Sequence, residues 1–185
     1  MSNIYKFILY IFLIILYEIN AKEVIIEIES KNINNFENVI NENSENEENL
    51  VLKFKEKYYD MSNLPSERID IFITLNVTFL GCSDGTIFDF KKNNNGMMNI
   101  TYSNNNSNIV KFKNIIFKNF GQDINQNDYM FLINSDTDEN YLKFENCIFT
   151  DIQCNIFEMN FSYLKEYNNI SFNSDYFITF VNCDF

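Results

Sequence analysis

Val77-Thr-Phe79-Leu-Gly81-Cys82, Val110-Lys-Phe112-Lys-Asn114-Ile-Ile-Phe117, Leu142-Lys-Phe144-Glu-Asn146-Cys147-Ile-Phe149 and Ile178-Thr-Phe180-Val-Asn182-Cys183-Asp-Phe185 are four copies of one pattern. Their leading phenylalanines follow one another after 33, 32 and 36 residues. A period in that range marks a repeat architecture, in which no unit buries its apolar side alone and each must stack on its neighbours. Each copy opens apolar-x-Phe, the alternation of a strand. It then reaches Asn or Gly, residues that accept the backbone angles of a turn. A short strand ending again and again in the same turn reads as a coiled solenoid of parallel strands.

Working outward, a second apolar cluster follows in each repeat: Thr86-Ile-Phe88-Asp-Phe90, Tyr129-Met-Phe131-Leu-Ile133 and Asn155-Ile-Phe157-Glu-Met159. Each turn therefore carries at least two short strands. Polar stretches at 91–95, 103–108, 121–128 and 135–140 read as surface loops, where a repeat fold places its insertions. Upstream, Ile69, Ile71, Ile73 and Leu75 alternate cleanly, as do Leu50, Leu52 and Phe54, and before them Val24, Ile26 and Ile28. Ile33, Phe36, Val39 and Ile40 instead recur at helical spacing and predict a short amphipathic helix over 32–42. Asn34 and Glu37 are spaced like a capping box at its start. The acidic stretch from Asn41 to Asn49 reads as a solvated helix end or loop.

The N-terminus has the layout of a secretory signal peptide: Lys6, an uncharged run from Phe7 to Tyr17, and Ala21 as the small residue before a cut at Lys22. A spanning helix needs about 20 apolar residues, and Glu18 interrupts this run well short of that. The chain divides into a signal peptide at 1–21, an N-terminal cap of strand, helix and first coil at 22–68, and repeats at 69–185. Secretion or display at the cell surface is the expected location.

The formal net charge is −12, with a single arginine (Arg68) and no histidine. Such a chain is a poor ligand for nucleic acid, which requires clustered cations. It is equally poor for anionic membranes or polyanionic pectin unless calcium bridges the charges. Acidity that keeps an apolar-rich secreted protein soluble is the simpler account. Sequons at Asn76, Asn99, Asn105, Asn160 and Asn169 are glycosylation candidates in an exported chain, although a chain with 33 asparagines generates sequons by chance.

Four cysteines, Cys82, Cys147, Cys154 and Cys183, permit three disulfide connectivities in an oxidising compartment. The alternative is that they are small buried fillers of the stack. Their spacing fits no zinc pattern.

The Phe-x-Asn-Cys-x-Phe signature, with apolar-x-Phe before it, resembles secreted right-handed parallel β-helix proteins of the pectin-lyase-like fold. The likeness covers about residues 69–185, and the amphipathic segment before it is similar to the helix that plugs the N-terminal end of such solenoids. The resemblance implies an all-β, right-handed parallel β-helix solenoid with a short N-terminal capping helix. It also implies an asparagine ladder at one corner, formed here by Asn114, Asn146 and Asn182 and left incomplete where Gly81 replaces Asn. Parallel stacking points the same way, since equivalent residues stand about 4.8 Å apart and meet their own kind. Phe79, Phe112, Phe144 and Phe180 then form one interior aromatic stack. Cys147 and Cys183 become direct neighbours. A leucine-rich repeat is the alternative architecture, but its leucine spacing is missing.

Enzymes of this fold include polysaccharide lyases, with a calcium cluster and a catalytic Arg or Lys, and polygalacturonase-type hydrolases, with aspartates near a Gly-His-Gly. Glycoside hydrolysis requires two carboxylates. Asp84, Asp89, Asp136, Asp138 and Asp151 are present without a recognisable motif, and no catalytic residue, cofactor or metal ligand is assigned. Ser135 to Asn140 alternates oxygen ligands like the start of a calcium loop but lacks its glycine and distal glutamate, so an ordinary polar turn is expected. Tyr58, Tyr59, Tyr102, Tyr163 and Tyr167 could in principle stack on sugar rings, but scattered tyrosines are more often partly buried packing residues, and no binding site is assigned to them.

The last repeat stops at Phe185, which is expected to leave an open strand edge, either because the chain is a fragment or because it self-associates there. The functional expectation is a secreted or cell-surface, non-catalytic scaffold with structural or adhesive contacts to glycans or surface proteins. The alternative is a polysaccharide lyase or glycoside hydrolase whose catalytic coils are missing or lie beyond this chain.

Overall fold

The computed structural model describes residues 23–43, 49–102, 107–121, 129–137, 139–161 and 177–185. The expected signal peptide, most of the acidic stretch, and Asn105, Asp138, Tyr163, Tyr167 and Asn169 lie outside the described residues.

β1 (Glu23–Ile28) leads through a 3-10 turn (Ser30–Asn35) into the helix α1 (Phe36–Asn43). Strands then come in threes: β2 (Asn49–Phe54), β3 (Tyr58–Asp60) and β4 (Arg68–Ile73), followed by β5 (Val77–Leu80), β6 (Thr86–Asn93) and β7 (Met97–Tyr102). The third trio is β8 (Ile109–Lys113), β9 (Ile115–Phe120) and β10 (Tyr129–Ser135). The fourth is β11 (Tyr141–Glu145), β12 (Ile148–Thr150) and β13 (Asn155–Phe161), and β14 (Ile178–Val181) begins the next. Every third strand joins the same sheet. The three sheets run β1-β2-β5-β8-β11-β14, β3-β6-β9-β12 and β4-β7-β10-β13. All the pairings are parallel, so the chain is mostly β and built of parallel sheets. Among the described residues no helix is long and apolar enough to cross a membrane.

The register follows the sequence repeat. Val77, Val110, Leu142 and Ile178 are successive partners, as are Phe79, Phe112, Phe144 and Phe180. The residues between them, Thr78, Lys111, Lys143 and Thr179, occupy the opposite face, as the two-residue period of a strand requires. The phenyl rings stack face to face at centroid separations of 4.4, 5.1 and 5.3 Å. Phe117 of β9 and Phe131 of β10 meet Phe112 at 5.7 and 5.4 Å, so one buried apolar cluster draws on all three sheets.

A single residue with positive φ follows the first strand of these trios: Asn114 (57°), Asn146 (53°) and Asn182 (53°). Asparagine is among the few side chains that adopt this region readily. The Asn146 amide donates to Asn114 Oδ1 at 3.1 Å, and the Asn182 amide to Asn146 Oδ1 at 3.3 Å. At the equivalent position Gly81 has no room for a side chain, because a Cβ there would lie 2.1 Å from the Asn114 carbonyl oxygen.

The second apolar clusters are not equivalent to one another. Thr86 to Phe90 lies in the β3-β6-β9-β12 sheet, whereas Tyr129 to Ile133 and Asn155 to Met159 lie in the β4-β7-β10-β13 sheet. A corner of one residue, Asn114, carries the chain directly from β8 into β9, so each repeat holds three strands, one in each sheet.

The helix begins later than its apolar spacing suggests. The chain enters through the 3-10 turn, which buries Ile33, and only Phe36 to Asn43 is α-helical. The capping contact forms one turn earlier than Asn34 and Glu37, with the Glu29 amide donating to Asn32 Oδ1 at 2.7 Å. Phe36 and Ile40 are buried, and the Phe36 ring meets Phe79 edge-on at 6.3 Å. Asn41 serves the outer edge of β4: it accepts from the Phe72 amide and donates to the Asp70 carbonyl, both at 3.1 Å. The helix thereby supplies hydrogen bonds that a further strand would otherwise make.

Candidate functional site

A cleft of about 680 Å³ opens at the beginning of the β4-β7-β10-β13 sheet. It is lined by Ser66, Glu67, Arg68, Asn94, Met97 and Tyr129, with Pro65 and Phe120. Two turns shape it. Leu64-Pro65-Ser66 brings the chain up to β4, and the loop after β6 brings it to β7. They are joined by the Gly96 amide on the Ser66 carbonyl (3.2 Å) and the Met97 amide on the Glu67 carbonyl (3.0 Å). Gly96 is required here: its φ is +84°, and a Cβ would meet Leu64 Cδ1 at 2.7 Å.

Arg68 is held in place by Asp70. Its Nε lies 2.9 Å from Asp70 Oδ1 and its Nη2 donates to Asp70 Oδ2 at 3.1 Å. Asp70 in turn begins a second amide chain, outside the predicted ladder. Asn99 donates to Asp70 (2.5 Å), Asn134 to Asn99 (2.8 Å) and Asn160 to Asn134 (3.2 Å). Asp70 also raises the pKa of Glu37 on α1, after burial, which is the larger cause. A fixed guanidinium, a tyrosine ring, an amide and a carboxylate around an open cleft are the groups that bind sugar hydroxyls and stack on sugar rings.

Of the carboxylates singled out from the sequence, Asp84, Asp89 and Asp151 are each held by different partners. Asp84 pairs with Lys57, which lowers its pKa. Asp151 accepts from its neighbour Thr150 at 3.4 Å. Asp89 is the buried one. Burial raises its pKa, but hydrogen bonds from Asn119 (2.9 Å), the Lys91 amide (3.0 Å), the Lys91 ammonium and the Tyr58 hydroxyl (3.1 Å) outweigh this and hold it at about 2. The hydroxyl of Tyr58 and the carboxylate of Asp89 likewise raise the pKa of Lys91, which also lies 5.2 Å from the Tyr58 ring centre. A carboxylate satisfied on this many sides acts as a brace.

The Ser135–Asn140 stretch is engaged by protein groups inside and outside it, with Asn140 Oδ1 accepting from the Asn108 amide at 3.0 Å and Glu139 Oε2 from the Ser107 hydroxyl at 3.4 Å. Ser135 Oγ donates to the Thr137 carbonyl at 2.7 Å, and Asn140 donates to Ser135 Oγ at 3.0 Å. Among the described residues no three His, Cys, Asp or Glu side chains gather to hold a metal ion.

Tyr59 and Tyr102 are core residues, 0 % and 2 % exposed, so neither can stack on a sugar as a surface aromatic. Their hydroxyls donate to the carbonyls of Ile28 and Tyr141, which is what allows phenols to be buried there. Tyr58 is exposed. Among the sequons, Asn76 braces the chain, donating to Asn49 Oδ1 (3.0 Å) and accepting from the Ile109 amide (2.8 Å). Asn99 sits inside the second amide chain, and Asn160 is its exposed end. No disulfide joins any of the described cysteines.

Sequence reading placed Tyr129 only in an apolar strand cluster and missed the cleft. The only sequence signal was a proline turn ending at the sole arginine, and a turn by itself does not indicate a cavity. Comparison with known proteins finds no matching family model, no matching curated protein and no matching solved structure.

Proposed function

We propose that this chain is a secreted or cell-surface, non-catalytic scaffold of the right-handed parallel β-helix type, resembling pectin-lyase-like proteins, which contacts glycans at the cleft beside Arg68 and Tyr129. The solenoid reading is supported by the cyclic order of the strands, in which each turn of chain adds one strand to each of three parallel sheets. Right-handed crossover between parallel strands is the rule. Stacked rings and amide ladders make such an element stiff, as suits a spacer that presents a binding surface.

The cleft carries the binding reading. Tyr129 offers a ring, Arg68 a guanidinium already oriented by Asp70, and Glu67 and Asn94 further polar groups on one opening. Because Asp70 neutralises Arg68 and Glu67 adds negative charge, the fitting ligand is a neutral oligosaccharide.

Titration calorimetry of the purified protein against neutral and uronate oligosaccharides tests this. The expected result is binding of a neutral glycan that Tyr129→Ala and Arg68→Ala each abolish. Binding untouched by both substitutions would remove the cleft from the account, and turnover of polygalacturonate with or without calcium would replace the scaffold by an enzyme. Secretion is tested separately by N-terminal sequencing after expression in a eukaryotic secretory host, with Lys22 expected as the first residue.

A further inference from the structure

We infer that Cys147 and Cys183 are poised to form a disulfide joining the turns that follow β11 and β14, and that Cys82 and Cys154 take no part in it. This goes beyond the glycan reading and does not depend on it.

The two residues face each other across neighbouring strands. β11 and β14 are in register at Phe144–Phe180 and Glu145–Val181. The match continues through the turn: the Asn146 amide donates to the Val181 carbonyl (2.9 Å), the Asp184 amide to the Cys147 carbonyl (3.1 Å) and the Phe149 amide to the Asp184 carbonyl (2.9 Å). Cys147 and Cys183 are therefore matched and flanked on both sides by paired residues. In-register neighbours stand about 4.8 Å apart, inside the Cα separation that a disulfide spans.

Their side chains also point the same way. Cys147 Sγ donates to the carbonyls of Phe112 (3.4 Å) and Glu145 (3.6 Å). Cys183 Sγ donates to the carbonyls of Phe144 (3.5 Å) and Val181 (3.5 Å). These are the same two contacts displaced by one strand. The thiol hydrogen bonds given up on oxidation are weak.

The other two cysteines are out of reach. The Cys82 amide bonds Thr86 Oγ1 at 2.9 Å, and Thr86 is separated from the Cys147 level by Ile115, two strand steps in all. That is about 10 Å, too far for a bridge. The Cys82 thiol instead lies by the Phe54 carbonyl at 3.6 Å. Cys154 stands beyond the far end of β12, with its thiol 3.1 Å from the Asn155 carbonyl.

The reaction is thiol–disulfide exchange with a small disulfide oxidant such as oxidised glutathione. The Cys183 thiolate, the more exposed of the pair, attacks one oxidant sulfur and expels a glutathione thiolate. The Cys147 thiolate then attacks Cys183 Sγ and expels the second. Two protein thiols lose two protons and two electrons, and one glutathione disulfide becomes two thiols. Burial pushes the Cys147 thiol up to about 11, with the neighbouring Cys183 a further cause, so closure should accelerate about tenfold per pH unit through the neutral range.

The test incubates the reduced protein with oxidised glutathione, alkylates the remaining thiols after unfolding, and maps the peptides. The expected result is two of the four thiols lost, one cross-linked peptide pair containing Cys147 and Cys183, and a Tm raised by roughly 5 °C. Cys183→Ser, at a half-buried position just after β14, should lose both the cross-link and the Tm rise. A bridge to Cys82 or Cys154, or full alkylation of Cys147 after oxidation at pH 9, overturns the proposal. The peptide map of the unsubstituted protein decides the matter even if the variant fails to fold. It also does so whether or not the signal peptide is cleaved or a glycan is bound.

Discussion

The rings of Phe112 and Phe144 lie 5.1 Å apart with their planes 9° from parallel, one above the other on neighbouring strands. Free aromatic pairs favour offset or edge contacts over flat stacking. The parallel register holds the two rings at a separation within the favoured range, and edge contacts are added from the side by Phe117 at 5.7 Å and Phe131 at 5.4 Å.

Phe112→Ala should therefore be costly. The side chain is fully buried among four other rings, and such truncations lose about 3–5 kcal/mol. Phe180→Ala, in the same column but 39 % exposed, should lose about 1 kcal/mol by its smaller burial. Urea denaturation of both variants checks the difference; equal losses would contradict it.

Gly81→Ala should destabilise by about 1–3 kcal/mol, the range for overpacking. The added Cβ meets the Asn114 carbonyl oxygen, a backbone atom that cannot swing away, as well as Thr86 at 3.0 Å. A neutral result in the same urea assay would mean that the corner is looser than its geometry.

At Asn146 the backbone and the ladder can be separated. Asn146→Gly keeps the positive φ without strain but gives up the amide bonds to Asn114 and from Asn182. Asn146→Ala gives up both and adds about 1–2 kcal/mol of left-handed strain. The expected stability order is native, then Gly, then Ala. If Ala matched Gly, the positive φ would not be a constraint.

Acid should weaken the protein in a window assigned to Asp89. Its folded pKa of about 2 lies below the ordinary value of 3.8, so its contribution is fully present above about pH 4 and is lost as pH falls toward 2. The amount is roughly 2 kcal/mol. Asp89→Asn should flatten that part of the stability–pH curve, measured by urea midpoints between pH 4 and 2, and an unchanged slope would assign the acid sensitivity elsewhere.

Much of the parallel-sheet fold was legible because stacking repeats chemistry in sequence. Phe79, Phe112, Phe144 and Phe180 recur because each ring meets its equivalent, and Asn114, Asn146 and Asn182 recur because each turns the same corner. The Asp70–Asn99–Asn134–Asn160 chain was not legible. Asn134 is opposite Thr101 yet bonds diagonally to Asn99, so no fixed interval marks the series.

The sequence by itself determined the repeating strand, its corner residue and the helix beside it, because those depend on a residue's own backbone preferences and on its equivalent in the neighbouring parallel strand. Tertiary structure alone decided the cleft, whose lining comes from the separate segments around Pro65, Asn94, Phe120 and Tyr129. It also decided that Tyr59 and Tyr102 are core and that Asp89 is braced from four sides. Loop lengths set those meetings, and loop length carries no periodic signal.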